Sequence, residues 1–206
     1  MIKMEFCKLF EKVKKLRNKF IDDLCKISTV ISLSDAYENS NDLYYLVMAL
    51  EDRRYLKHKG VDFISIMREL FKFFLCKKHG GASTIDMQMV RTITGFKEKT
   101  IYRKTYEIIL SIVINRSYTK KQIIQCYLNN AFFGSGLYGS EAASYAIFNQ
   151  EEASLDIAQK AIIAAMLLNP KPLKYNELWI AKVSARALYA HALLGTIKKK
   201  NKKFHL

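Results

Sequence analysis

The chain has 206 residues, half of them hydrophobic and 12% aromatic, with 34 Lys and Arg against 19 Asp and Glu for a formal net charge of +15. That length holds one substantial core with tails but hardly two independent domains, and the apolar content excludes a disordered chain. With only two prolines and eight glycines the fold is expected to be all-α, and the charge calls for an anionic partner: nucleic acid, an acidic membrane surface or a phosphorylated substrate.

Residues 1–40 form a basic amphipathic segment in which Phe6, Leu9, Phe10, Val13, Leu16, Phe20 and Leu24 recur at helical spacing among Lys8, Lys12, Lys14, Lys15, Arg17 and Lys19. Two readings stay open, a helix lying on a membrane and a helix docked on the protein's own core with a solvated basic face. No run of about 18 apolar residues suited to span a bilayer occurs, and no secretory signal is readable. Residues 41–197 form the expected domain, and residues 198–206, with Lys198, Lys199, Lys200, Lys202 and Lys203, a basic tail.

Within the domain the 3.6-residue period predicts helices over 42–51, 62–77, 83–94, 100–115, 119–130, 139–148, 154–168 and 176–197. Their starts are marked by Asp62, by Ser83 with Asp86 three residues on, and by Thr119 with Gln122 three residues on, the last two at capping-box spacing. The first helix ends in Glu51-Asp52-Arg53-Arg54-Tyr55-Leu56-Lys57-His58-Lys59-Gly60. A carboxylate at the end of an apolar helix, ringed by cations, is a candidate general base. The next carries Phe63, Ile66, Met67, Leu70, Phe71 and Phe74 as one stripe, with Ile64, Phe73 and Leu75 off it. Those apolar side chains fit a helix that faces lipid or a ligand tail, and they fit a helix buried between two others.

His79-Gly80-Gly81-Ala82-Ser83-Thr84 then opens a helix whose free N–H groups and hydroxyls suit a phosphate. Arg103, Lys104 and Glu107 share a helix face, and a third polar cluster joins Lys120, Tyr127, Asn129 and Asn130 to a Gly134-Ser135-Gly136 turn. The four cysteines, Cys7, Cys25, Cys76 and Cys126, lack metal or disulfide spacing and read as small apolar residues.

Taken in order, these clusters resemble the peptidoglycan glycosyltransferases. The first motif of that family is matched by Glu51, Asp52, Arg53, His58 and Gly60, with Tyr55 in its aromatic place. The second is matched by Gly81, Ala82, Ser83, Thr84, Ile85 and Gln88, the third by Arg103, Lys104 and Glu107, and the fourth by Lys120, Ile123, Ile124, Tyr127, Leu128 and Asn129. Ala161 to Leu168, Asn169-Pro170 and Arg186 match a looser fifth element. Asp86 and Met87 stand where the family has Thr and Gln, and Gln125 where it has a carboxylate.

The resemblance implies a lysozyme-like helical lobe with a smaller membrane-associated lobe, polymerising lipid II into glycan strands with inversion. It implies Glu51 as general base and Glu107 as a second catalytic carboxylate that orients cations or binds a divalent metal, Mg or Mn, with no organic cofactor. Arg103, Lys104, Lys120 and Arg91 would hold the leaving diphosphate, and Ser83, Thr84 and Gln88 would line the sugar and phosphate path. Asp52, Arg54, His58, Tyr127 and Asn129 would complete the substrate-binding set. Its partners would be lipid II, the growing strand, the membrane surface and other cell-wall synthases, not nucleic acid, on the outer face of the cytoplasmic membrane. A lysozyme-like glycan hydrolase and an inactive basic polyanion-binding descendant are the alternatives.

Overall fold

The computed structural model describes residues 2–35, 39–75, 81–96, 98, 100–174 and 176–201. Cys76, Lys77, Lys78, His79, Gly80, Lys202 and Lys203 lie outside the described residues, as do the side chains of Phe6, Cys7, Lys8, Leu9 and Phe73. The helices are α1 (Ile2–Ser34), α2 (Asn41–Glu51), α3 (Phe63–Phe74), α4 (Ile85–Thr94), α5 (Ile101–Ser117), α6 (Lys120–Asn130), α7 (Ser140–Phe148), α8 (Ile157–Met166) and α9 (Glu177–Lys200). The fold is all-α, as expected. Its one small sheet among the described residues pairs β1 (Phe132–Gly134) with β2 (Leu137–Tyr138) across the Ser135-Gly136 turn.

Helix ends fall where side chains satisfy the free backbone groups. Ser40 accepts from Leu43 N to start α2, and Thr119 with Gln122 forms the expected capping box of α6. The cap of α4 is Thr84, which accepts from Met87 N, not Ser83. Asp86 is therefore no capping-box partner.

One continuous core joins α2, α8 and α9 to α1, α4, α5 and α6, with Tyr44, Leu46, Val47, Ile85, Met89, Ile123, Leu128, Ile163 and Ala190 fully buried. Helix α1 is docked on the core along part of its length. From Phe20 onward Leu24, Ile27 and Ile31 pack on this core, whereas residues 10–19 are all exposed. Cys126 is buried as an apolar filler, and Cys25 is exposed.

None of the described side chains of helix α3 joins the core. Its polar Ser65 and Glu69 are buried while Phe63, Ile64, Met67, Leu70, Phe71 and Phe74 stand exposed, the reverse of a soluble amphipathic helix. The apolar stripe thus faces outward.

The loop that leads into α3 passes over α5 at Gly60, whose φ is +90° and where an added Cβ would lie 2.4 Å from Ser111 O. The Gly60 carbonyl accepts from Thr84 Oγ1 at 2.7 Å, coupling this loop to the cap of α4. Gly60→Ala is expected to destabilise the fold by about 2–4 kcal/mol through strain and displaced backbone. Thermal unfolding should record a midpoint on the order of 5–10 °C lower.

Candidate active site

Helix α2 ends at Glu51 because Asp52 leaves helical geometry, with φ −156° and ψ 82°. The buried Asp52 carboxylate then accepts from Arg54 N at 3.2 Å, Ile85 N at 3.3 Å and His58 Nε2 at 2.8 Å. Three donors from two segments fix the corner on which Glu51 stands.

Glu51 is held at both oxygens. Arg186 of α9 donates to Oε1 at 2.6 Å, and Gln88 Nε2 donates to Oε2 at 3.2 Å. The Gln88 amide is itself oriented by Tyr127, whose hydroxyl donates to Oε1 of Gln88 at 2.7 Å. Burial first, and the nearby Glu51 charge second, push the Tyr127 phenol well above its ordinary range, so it remains a donor.

On one side of Glu51 a cleft of about 250 Å³ opens under α3, lined by Arg54, Arg68, Glu69, Lys72 and Ser83 among others. Arg54 Nε donates to Asp62 at 2.9 Å, and Lys72 Nζ to Glu69 at 2.9 Å. Helix α4 presents Gln88 and Arg91 one turn apart. Arg91 grips Glu107 with two bonds of 2.7 and 2.9 Å, and Arg103 Nε lies 3.4 Å from the same carboxylate. Lys104 Nζ donates to Ser83 Oγ at 2.9 Å, and burial lowers its pKa. Arg103 Nε and Arg186 Nε are buried with no hydrogen-bond partner among the described residues.

Of the residues expected at the site, Glu51, Gln88 and Tyr127 form one hydrogen-bonded group, Arg91, Arg103 and Glu107 a second, and Lys104 and Ser83 a pair. Arg54, Asp52 and Thr84 line the cleft. Three residues sit differently. Lys120 gives both Asp86 oxygens bonds of 3.0 and 2.9 Å and lies over the Tyr55 ring, outside the cleft lining. Its ammonium is engaged within the protein by Asp86. His58 is buried against Asp52, outside the cleft lining. Asn129 accepts from Asn39 Nδ2 at 2.7 Å and donates to Ser34 O at 3.3 Å, tying the end of α1 to α6.

Arg68, Lys72 and the contact of Arg186 with Glu51 were not anticipated. The signal for the first two was a polar face, Ser65, Arg68, Glu69 and Lys72, at helical spacing opposite the apolar stripe. Arg186 is 135 residues from Glu51, and only tertiary packing joins them.

Asp52, His58 and Asp86 bring three ligand atoms within 4.8 Å of one another, an acidic group that could hold a metal ion. Lys120 already neutralises Asp86 there, and Asp52 is filled by three donors, so the group does not fit a divalent ion as it stands. Glu107, the expected metal ligand, is occupied by guanidinium groups.

The all-α domain thus sets one carboxylate, Glu51, among cationic side chains beside a helix whose apolar face is exposed. The chain belongs to the transglycosylase family, whose profile, described as Transglycosylase, matches residues 26–192. It is similar to penicillin-binding protein 1F of Bacillus subtilis (strain 168), 38% identical over 120 residues, 58% of this chain and 17% of that protein. It is similar also to penicillin-binding protein 1A of Rickettsia felis, 39% identical over 149 residues, 70% of this chain and 19% of that protein. Penicillin-binding protein 1A of Clostridium tetani is 30% identical over 193 residues, 90% of this chain and 24% of that protein. The chain spans about a fifth of the length of these relatives.

The Asp86–Lys120 pair has a consequence for stability. Burial is the largest influence on both, raising the Asp86 pKa and lowering that of Lys120, so desolvation outweighs their attraction. Lys120→Met alone should cost about 3 kcal/mol by stranding a buried carboxylate, whereas Lys120→Met with Asp86→Thr should recover most of that loss. Denaturant unfolding of the two variants checks this, and equal destabilisation of both would contradict it.

Proposed function

We propose that the chain is a peptidoglycan glycosyltransferase that polymerises lipid II, with Glu51 as the general base. The reading is carried by Glu51 itself, held by Arg186 and Gln88 in the lining of the cationic cleft under α3. In the reaction the 4-hydroxyl oxygen of an acceptor lipid II bonds to C1 of the donor sugar from the face opposite its diphosphate. The proton passes to Glu51, the C1–O bond breaks, and the electron pair leaves on the diphosphate, which inverts the anomeric carbon.

Two lipid diphosphates must be accommodated, and two sets of cations are available, one in the cleft and one at Glu107. Arg54, Arg68 and Lys72 suit the acceptor's diphosphate in the cleft. Arg91, Arg103 and Lys104 suit the donor's, where charge develops as the bond breaks, and the unfilled donor of Arg103 has a natural acceptor in a phosphate oxygen. With Glu107 and Asp86 both neutralised by cations, Mg or Mn receives no ligand in this reading.

The outward apolar face of α3 gives the lipid tails and the outer leaflet of the cytoplasmic membrane a surface to meet. No helix of the described residues is long and apolar enough to cross a membrane. Other cell-wall synthases remain proposed partners on family grounds alone. Glycan hydrolysis fits less well, because a hydrolase needs a protonated second carboxylate, and the other cleft carboxylates that face cations, Asp62 and Glu69, are ion-paired.

Glu51→Gln is expected to reduce polymerisation of lipid II in detergent by about 10²- to 10⁴-fold. A variant that keeps the wild-type rate removes the base assignment, and release of reducing ends from cell wall without use of lipid II favours the hydrolase. Binding of polyanions without turnover favours the inactive descendant. Tyr127→Phe should lower kcat by about fivefold, the value of one hydrogen bond of about 1 kcal/mol, with KM little changed. In a Gln88→Ala background it should have almost no further effect, which steady-state kinetics of the double-mutant cycle would show.

A further inference from the structure

Helix α1 carries one apolar stripe along its length, and the protein covers only part of it. Leu24, Ile27 and Ile31 are packed on the core, and Phe20 lies against Tyr106 of α5. Lys19 marks the edge of the docked part, bonded to Asp23 and set over the rings of Phe96 and Tyr106. Toward the N-terminus the same stripe continues through Leu16, Val13 and Phe10, at 44%, 57% and 68% exposure, and every residue from 10 to 19 is exposed. Ten helical residues make about 15 Å of amphipathic helix whose apolar side is left exposed by the described residues.

The charges around the stripe select what covers it. Lys12, Lys14, Lys15 and Arg17 are exposed, and Glu11 is the sole acidic residue between Phe10 and Lys19. In a helix pair seamed on Val13 and Leu16, the flanking positions would be Lys12, Arg17 and Lys19. A second copy would therefore set cations against cations along the seam. An anionic surface inverts that penalty, because the flanking cations meet negative headgroups while Phe10, Val13 and Leu16 enter the acyl boundary.

We propose that residues 10–19 of α1 form an in-plane anchor that binds anionic phospholipid, separate from the apolar face of α3. The docked half of α1 holds this anchor rigidly to α4, α5 and α6, so its contact fixes the orientation of the catalytic domain over the bilayer. The contact goes beyond the reaction proposed above and does not depend on it.

Cosedimentation of the whole chain with phosphatidylcholine vesicles, with and without phosphatidylglycerol, provides the test. The wild type is expected to prefer the anionic vesicles and to lose that preference at high salt. Replacing Lys12, Lys14, Lys15 and Arg17 by Gln should weaken anionic-vesicle binding by about fivefold for each charge. Val13→Ser with Leu16→Ser, which removes apolar contact without touching the charges, should also weaken it. Both variants should keep the wild-type melting temperature, since these side chains lie outside the core, and should polymerise lipid II in detergent at the wild-type rate.

Unchanged anionic binding in either variant overturns the proposal, as does equal binding of the wild type to neutral and anionic vesicles. A wild-type dimer in solution that Val13→Ser with Leu16→Ser dissolves would assign the stripe to a second copy and overturn it too. A wild type that binds anionic vesicles as described but never extends lipid II leaves the anchor standing and removes the reaction.

Discussion

The Asp52 carboxylate is the constraint on which the site depends. It is buried, and its three donors belong to the turn after α2, to the following loop and to the first residue of α4. A buried carboxylate without such donors would carry a large desolvation penalty, so the three segments are held to one arrangement. Glu51, one residue earlier, is thereby presented at a helix end whose position cannot drift relative to Gln88 on α4. The Thr84 hydroxyl on the Gly60 carbonyl secures the same junction from the far side of the loop.

From that corner the molecule separates charge and apolar surface in an order suited to a lipid diphosphate. Immediately around Glu51 lie the cations of the cleft and of the Arg91 group, and beyond the cleft the outer face of α3 is apolar. Turning the polar face of α3 inward is stable only because Ser65 and Glu69 find partners there: Ser65 Oγ donates to Asp62 at 2.7 Å and Lys72 reaches Glu69. The same helix therefore lines a polar cleft and exposes a hydrocarbon-like surface, and a substrate with a charged head and an apolar tail can contact both.

Much of this was legible in the sequence because periodicity and caps are local. The eight helices expected between residues 42 and 197 all form, and their ends differ by a few residues where a cap was assigned to the wrong hydroxyl, as with Ser83 and Thr84. What periodicity cannot supply is direction. A stripe on α3 says that one face is apolar but not whether it turns inward, and the stripe of α1 gives no sign of where the core ends beneath it. Long-range ion pairs are equally silent: Arg186 and Lys120 are both cations on helices, yet packing brings one to Glu51 and the other to Asp86. The β1–β2 pair escaped because its strands are two or three residues long and are stabilised by Lys171, whose N–H donates to Phe133 O at 2.7 Å.

The three departures from the family motifs share a location. Asp86 and Met87 are fully buried on the core side of α4, and Gln125 is buried on α6. Asp86 is neutralised by Lys120 and receives Asn115 Nδ2 at 2.6 Å, so its charge is compensated before it reaches the diphosphate groups. Gln125 donates to Ser34 O at 2.6 Å and accepts from Tyr44 at 3.3 Å. An ionised carboxylate in that place would have no proton to give the Ser34 carbonyl, and the end of α1 would lose a buried tie. The substituted positions therefore rebuild the packing behind the site, while the face of α4 that carries Gln88 and Arg91 keeps the side chains the reaction calls for. Asp86 does not place an uncompensated negative charge against the substrate, which removes the main electrostatic objection to an active site at Glu51.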